Sequence, residues 1–257
     1  MRQALHAEWT KLRTVSGPAW LLLTSTVLTV GLSAAVAAAA TYTAGATQDT
    51  TKISLTGIYL GQTAIVILAV LSIGNEYSTG MIRVTLTAMP RRLGVMAAKA
   101  TILSGLVMAA GVIAVLSSLL AGRLILPGNG FIQAHGYSLL SLAHGPTLRA
   151  AAGSVLYLTL LALLSLGVAT AVRESATAIG IVLALLYLFP IIAAVAGNHS
   201  WHRHLEQVGP MTAGLAIQAT TNLRSVPIGP WAGLGVLAAW AAGALLVGGL
   251  LLRLRDA

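Results

Sequence analysis

The sequence predicts an all-α, polytopic membrane protein with six transmembrane helices. Of its 257 residues, 57% are hydrophobic and only 8% are charged, whereas a soluble domain carries about 25% charged residues. A chain this apolar lacks the polar side chains needed to cover a folded surface in water, so most of that surface must face lipid. Six apolar stretches are long enough to cross a bilayer as helices: residues 19–40, 55–73, 100–122, 150–172, 176–196 and 230–252.

The distribution of positive charge predicts that both termini are cytoplasmic. With the N-terminus inside, ten of the 15 Lys and Arg residues fall on the cytoplasmic side and five outside, as the positive-inside rule requires. The ten are Arg2, Lys11, Arg13, Arg83, Arg91, Arg92, Lys99, Arg173, Arg253 and Arg255. Membrane topology and contact with anionic lipid head groups therefore account for the net charge of +9, so this charge does not indicate a nucleic-acid partner. We expect one membrane domain, residues 1–257, in the cell membrane.

Residues 1–14 are predicted to form an amphipathic helix in the inner membrane interface. Leu5, Trp9 and Leu12 recur at the spacing of one helical face. The other faces carry Arg2, Glu8, Lys11 and Arg13. A short basic anchor for the first span is the plainer alternative. A cleavable signal peptide also competes, because residues 37–40 are small, but the apolar run exceeds a normal signal core and an uncleaved span is favoured.

The residue inventory disfavours catalysis on this chain. A Walker A loop needs a Gly-Lys pair, and none of Lys11, Lys52 and Lys99 follows a glycine. There is no H-E-x-x-H motif and no cysteine, and the six acids are scattered. Ion-driven carriers usually bury ionisable groups near the middle of the membrane. Every charged residue here is predicted at or beyond the end of a span, which disfavours such a carrier.

The outside loop before the last span contains the best metal candidate. His199, His202 and Glu206 lie at i, i+3 and i+7, so a helix would present a donor set that suits zinc. The spacing is loose against known zinc signatures, so ordinary solvated histidines are the favoured interpretation.

Small residues recur at four-residue spacing in three spans. The rows are Gly31-Ala35-Ala39, Ala176-Gly180-Ala184 and Gly235-Ala239-Gly243. Such rows let helices approach closely. They predict either packing inside the bundle or contact with a second copy.

Residues 75–99 form the most polar and most basic segment between two spans and are predicted to be a cytoplasmic loop. Ser78 or Thr79 is a candidate helix N-cap, and Pro90 is the expected stop. An apolar ridge at helical spacing lies between them, formed by Ile82, Leu86 and Met89. The pattern predicts a short amphipathic coupling helix, and the alternative is a solvated loop that only obeys charge topology.

This segment resembles the first cytoplasmic loop of type-2 ATP-binding-cassette exporter permeases. The family has an acid-aromatic pair, a Gly-Thr-x-Arg element, a leucine and a proline-arginine stop ahead of a lysine. The matching residues are Glu76, Tyr77, Gly80, Arg83, Leu86, Pro90, Arg91, Arg92 and Lys99, with Met81 where the family often has threonine. Residues 7–15 are similar to the family's N-terminal connecting helix, which would include Trp9, Lys11, Leu12 and Arg13.

The resemblance implies that two six-span halves pair around a substrate path and that each binds a separate cytoplasmic ATPase subunit. ATP and Mg would lie on that subunit, and this chain would carry no cofactor. Closure of the ATPases would pass through the loop and shift the spans between inward and outward access. The resemblance also implies a short helical pair within residues 201–223.

Several alternatives stay open at this point. A membrane anchor or sensor without transport and an ion-driven carrier are the competing functions. Apolar spans with scattered Ser and Thr suit an amphiphilic drug, antibiotic, peptide or lipid as cargo. Homodimer and heterodimer are equally compatible with the sequence.

Overall fold

The computed structural model describes residue 10 and residues 16–43, 47–81, 92–195 and 199–254, with only the backbone of residues 92, 199 and 200. Within these ranges the regular structure is helical and contains no strand. In chain order the helices are α1 (Ser16–Ala39), α2 (Thr50–Ser54), α3 (Ile58–Ser78), α4 (Arg92–Ile125), α5 (Gly145–Val172), α6 (Ser175–Val195), α7 (His199–Val208), α8 (Pro210–Leu215) and α9 (Pro230–Leu254).

Six of these helices are long and apolar enough to cross a membrane: α1, α3, α4, α5, α6 and α9. Each contains one of the predicted spans or most of it. The predicted all-α, polytopic class is therefore confirmed.

The helices on either side of the predicted cytoplasmic loop are longer than predicted. α3 continues to Ser78 rather than ending at residue 73, and α4 begins at Arg92 rather than at residue 100. Hydropathy detects the part of a helix that lies in hydrocarbon, whereas the helix itself continues until a residue stops it. The 34 residues of α4 extend about 51 Å, well past the hydrocarbon core of about 30 Å. The loop is therefore confined to residues 79–91, of which 82–91 lie outside the described residues.

Two segments that composition predicted as outside loops contain short helices. α2 begins after Asp49, whose carboxylate accepts a hydrogen bond from the Lys52 amide at 3.1 Å and caps the helix. α7 and α8 follow one another before the last span. They correspond to the helical pair that the resemblance implied.

α5 forms the centre of the bundle. It packs against α3, α4, α6 and α9, and its Tyr157, Leu161 and Leu166 are fully buried. Gly167 permits the closest of these approaches, because a Cβ there would stand 2.5 Å from the Ala244 carbonyl carbon of α9. α1 packs on the other side, against α3 and α4. This arrangement leaves faces of α1, α6 and α9 exposed to the surroundings of the chain.

The three predicted rows of small residues lie on those exposed faces. All nine of their residues are exposed, and a Cβ added to Gly31, Gly180, Gly235 or Gly243 would meet nothing within 4 Å. Packing inside the bundle is therefore wrong as an explanation for these rows. Close packing occurs elsewhere: Gly61 of α3 and Gly57, the residue before that helix, face the hydroxyl-bearing side of α1.

Candidate functional site

A buried ion pair ties together the two helices that lead into and out of the loop at residues 79–91. Lys99 Nζ of α4 lies 2.7 Å from Glu76 Oε1 of α3, and the same ammonium donates to the Ser72 carbonyl at 3.0 Å. The exposed fractions of the two side chains are only 3% and 8%. The pair therefore holds the last turn of α3 against the first third of α4.

This geometry corrects two expectations. Glu76 was predicted to lie in the loop as a docking residue, but it lies inside α3 with its carboxylate directed at Lys99. The prediction that every charged residue lies at or beyond the end of a span is wrong for Glu76 and Lys99, because both helices continue past the predicted ends. Sequence reasoning missed the pair because an acid and a lysine 23 positions apart in a polar segment look like loop residues.

The end of α3 follows from its local sequence. Thr79 is the C-cap of the helix, and its amide donates to the Asn75 carbonyl at 3.1 Å. Gly80 then takes a φ of +70°, the left-handed conformation that glycine adopts most readily after a helix. Thr79 therefore ends one helix, whereas the sequence had predicted Ser78 or Thr79 as the N-cap of another.

Arg173 joins the site from the turn between α5 and α6. Its guanidinium carbon lies 5.5 Å from the centre of the Tyr77 ring, a distance at which the cation and the ring attract. The same guanidinium lies 3.5 Å from the Leu251 carbonyl of α9. Arg173 thus links the C-terminal ends of α3, α5 and α9. The sequence indicated its side of the membrane and gave no signal for these partners.

The remaining predicted coupling residues lie largely outside the described residues. This applies to Arg83, Leu86, Pro90 and Arg91 of the loop and to Trp9, Lys11, Leu12 and Arg13 of the N-terminal helix. Arg92 begins α4, and only its backbone is described. Their assigned role stays a prediction.

The candidate metal ligands form a partial cluster on α7. His202 Nδ1 lies 3.3 Å from Glu206 Oε2, one turn further along the helix. The His199 side chain lies outside the described residues. Among the described side chains, no three His, Asp or Glu groups are close enough to hold a metal ion.

Glu174 caps α6. The Glu174 carboxylate accepts hydrogen bonds from the amides of Ala176 and Thr177. Ser175 packs on Gly74 of α3. Hydrogen bonds from Thr177, by its side chain and then its backbone, and from the Ala176 amide lower the pKa of the Glu174 carboxyl below its ordinary value.

We expect the start of α6 to loosen as the pH falls through this lowered pKa. Because the folded pKa is depressed, the cap stabilises the helix above the ordinary carboxyl range and is lost on protonation at lower pH. Protection of the Ala176 and Thr177 amides against hydrogen–deuterium exchange, measured relative to unstructured peptides at the same pH, should decrease there. Glu174→Gln should show weaker protection at neutral pH and no further loss on acidification. Equal protection in the two proteins at every pH would contradict the cap.

A buried polar cluster near the N-terminal end of α3 was also missed. Gln62 of α3 accepts a hydrogen bond from the Tyr157 hydroxyl at 2.5 Å and donates to the Tyr187 hydroxyl at 3.1 Å. Tyr187 in turn donates to the Tyr59 carbonyl at 2.7 Å. The sequence showed these groups to be inside spans but not that they meet. The cluster joins α3, α5 and α6 and satisfies polar groups that would otherwise be costly in hydrocarbon.

At the other end of the bundle, Asp49 connects two segments that are distant in sequence. Its carboxylate accepts hydrogen bonds from the Thr220 hydroxyl at 2.7 Å and from the Thr221 amide at 3.1 Å, in addition to capping α2. The segment before α2 is therefore fixed to the segment before α9 by a link separate from the Glu76–Lys99 pair.

No protein-family model matches this chain, and no curated protein matches it. Its function is therefore argued from the fold and the site. The six apolar helices identify a multi-pass membrane protein.

Proposed function

We propose that this chain is the membrane-spanning permease subunit of an ATP-binding-cassette exporter, with ATP hydrolysis on a separate cytoplasmic subunit. The observation that carries the proposal is the Glu76–Lys99 pair, which closes the base of the loop that resembles the family's coupling loop. A force applied to residues 79–91 would act on α3 and α4 together, because a buried ion pair resists separation of its partners.

The packing of α3 supports transmission of that force. α3 contacts α1, α5 and α6, and its cytoplasmic end meets Arg173 through Tyr77. A displacement of α3 would therefore reach the central helix and, through Arg173, α9. Two discrete arrangements of packed helices are what an ATP-driven cycle needs.

The proposal assigns distinct roles to the partners. ATP and Mg bind the cytoplasmic subunit, a second permease half completes the substrate path, and this chain supplies no catalytic group. The exposed small-residue rows on α1, α6 and α9 are surfaces on which a second half could pack closely.

Arg83→Ala is the variant that tests the docking step. We expect normal insertion in the membrane but weaker association with the ATPase subunit and slower ATP-dependent efflux from proteoliposomes, because Arg83 is predicted to lie beside the apolar ridge of the coupling helix. Arg123→Ala, at the opposite end of α4, is the matched control and should leave both unchanged. Normal association and efflux in Arg83→Ala would contradict docking at this residue.

The same vesicles separate the competing functions. Efflux that requires ATP supports the exporter, and efflux that follows a proton or sodium gradient without ATP would identify an ion-driven carrier. The buried Glu76–Lys99 pair is the observation that favours the carrier as the second candidate, because ionisable groups inside spans commonly mark proton pathways. Absence of transport with either energy source, together with stable ATPase binding, would indicate an anchor or sensor.

A further inference from the structure

A small cavity lies near the N-terminal end of α3, opposite the end of the bundle that carries the Glu76–Lys99 pair. Its volume is about 280 Å³, slightly below the range of about 300–1,000 Å³ that is usual for drug-sized ligands. Its walls come from α2 and the start of α3, from α7, α8 and the turn after α8, and from the segment before α9. The size of the cavity therefore suits a molecule of few heavy atoms.

Hydrogen bonds hold these walls together. The Gln207 amide of α7 donates to the Pro227 carbonyl at 2.8 Å, and the Thr212 hydroxyl of α8 donates to the Glu206 carbonyl at 2.9 Å. The Asp49 carboxylate joins the start of α2 to the segment before α9. The cavity is therefore formed by the fold itself, as is usual for small-molecule sites.

Two opposite charges line this cavity without pairing with each other. Lys52 and Glu206 are both in its wall. Within the described part of the chain, Lys52 Nζ has no ion-pair partner, and the Glu206 carboxylate contacts only His202 Nδ1, at 3.3 Å through Oε2. Asp49 lies three residues before Lys52, but its carboxylate already accepts hydrogen bonds from the segment before α9. The cavity thus offers one ammonium and one carboxylate that can each take a further partner.

The rest of the wall is uncharged. Leu215, Val226 and Ile228 contribute aliphatic surface to it. A ligand with a third charge would find no counter-charge in this wall, and its burial would be costly. An aliphatic group on the ligand would be removed from water and would strengthen binding.

We propose that this cavity binds a small zwitterion with an apolar tail, an aliphatic α-amino acid, whose carboxylate contacts Lys52 and whose ammonium contacts Glu206. Charge complementarity selects this class, because a ligand with a single charge would engage only one of the two wall groups, and hydrogen bonds between charged groups are the strong ones. The site needs neither ATP nor the ATPase subunit, so its failure would not bear on the function proposed for the chain. The competing explanation is an internal latch, in which Lys52 and Glu206 pair with each other and no ligand enters.

Leucine is the probe, and two analogues that each lack one of its charges are the comparison. Isocaproate has no ammonium, and isoamylamine has no carboxylate. Radiolabelled leucine is bound to the purified full-length protein in detergent micelles, and the analogues compete for the site. Leucine should bind saturably, and each analogue should bind about tenfold more weakly, near the lower limit for the loss of one hydrogen bond between charged groups. Glycine should also compete about tenfold more weakly than leucine, because it leaves the aliphatic wall uncovered.

Two variants assign the charges to their partners. Lys52→Gln should lower the affinity for leucine about tenfold and leave the affinity for isoamylamine unchanged, because isoamylamine has no carboxylate to lose a contact. Glu206→Gln should lower the affinity for leucine by a similar factor and leave the affinity for isocaproate unchanged. Arg123→Gln is the matched control, since Arg123 is an exposed cation near α2 that does not line the cavity. It should leave the affinities for all four ligands unchanged.

The other results overturn the proposal. If leucine does not bind saturably, the cavity holds no amino acid and the latch is the remaining explanation. If leucine binds no more tightly than the two analogues, the two charges do not act on one ligand. If Lys52→Gln weakens leucine and isoamylamine equally, or leaves the affinity for leucine unchanged, Lys52 does not contact the carboxylate; the same comparison with isocaproate applies to Glu206.

Discussion

Replacing Glu76 by glutamine, or Lys99 by methionine, is expected to lower the free energy of unfolding by about 3–5 kcal/mol, because each change leaves one buried charge without its counter-ion. The two side chains are almost completely enclosed, so water cannot screen the remaining charge as it does at a surface. The double variant Glu76→Gln, Lys99→Met removes both charges and should recover most of the lost stability. The free energies of unfolding of the two single variants and of the double variant can be measured on the purified proteins in mixed detergent micelles.

The same variants separate a structural pair from a coupling pair. If the pair transmits force from the loop, the stable double variant should still bind the ATPase subunit but export more slowly per ATP hydrolysed, because neutral side chains do not clamp α3 to α4. Exchanging the residues, Glu76→Lys with Lys99→Glu, keeps the ion pair and should recover coupling better than the neutral double variant. If the neutral double variant exports at the wild-type rate, the pair contributes only stability.

An ion-driven carrier predicts a different pattern. There Glu76→Gln would abolish the response to a proton gradient, and the charge exchange would not recover it, since the carboxylate would have moved to another helix. The exporter predicts that the response to ATP falls and that no gradient substitutes for it. The two candidates are therefore distinguished by one set of variants in the same vesicles.

The sequence predicted the spans because hydropathy depends on local composition, and the insertion of a helix into the bilayer depends on the same local composition. It predicted a special role for Glu76, Tyr77 and Lys99, but it placed them in a loop. Burial of a charge is a property of two helices together, and nothing local distinguishes a paired lysine in hydrocarbon from a solvated one. Arg173 shows the same limit, because its contacts with Tyr77 and Leu251 depend on how three helices converge.

The small residues illustrate a related ambiguity. Rows at four-residue spacing on α1, α6 and α9 were compatible with internal packing, and the structure places all of them on exposed faces. The glycines that do permit close internal packing, such as Gly167 and Gly248, belong to no predicted row. Spacing identifies a face of a helix, whereas the neighbour of that face is decided by the fold.

Gly167→Ala is the second change with a large expected effect. Alanine ordinarily stabilises a helix relative to glycine by up to about 1 kcal/mol. Here the added Cβ would lie 2.5 Å from the carbonyl carbon of Ala244 and 2.6 Å from the amide nitrogen of Leu245. These are backbone atoms and cannot rotate away, so α5 and α9 must separate along their shared contact. We expect the free energy of unfolding to fall by about 1–3 kcal/mol, measured as for the ion pair.

Two further variants test whether the crossing itself is responsible. Gly180→Ala on α6 is the matched control, since a Cβ there meets nothing within 4 Å, and it should be neutral or slightly stabilising. In Gly248→Ala, the added Cβ would lie 2.6 Å from the Gly167 carbonyl oxygen, so it would push on the same contact from the α9 side. This substitution should lower the free energy of unfolding by as much as Gly167→Ala. Because either substitution already forces the same two helices apart, the double variant should cost less than the sum of the single ones. Strict additivity would mean that the two glycines act on separate contacts, and the account of a single close crossing between α5 and α9 would be wrong.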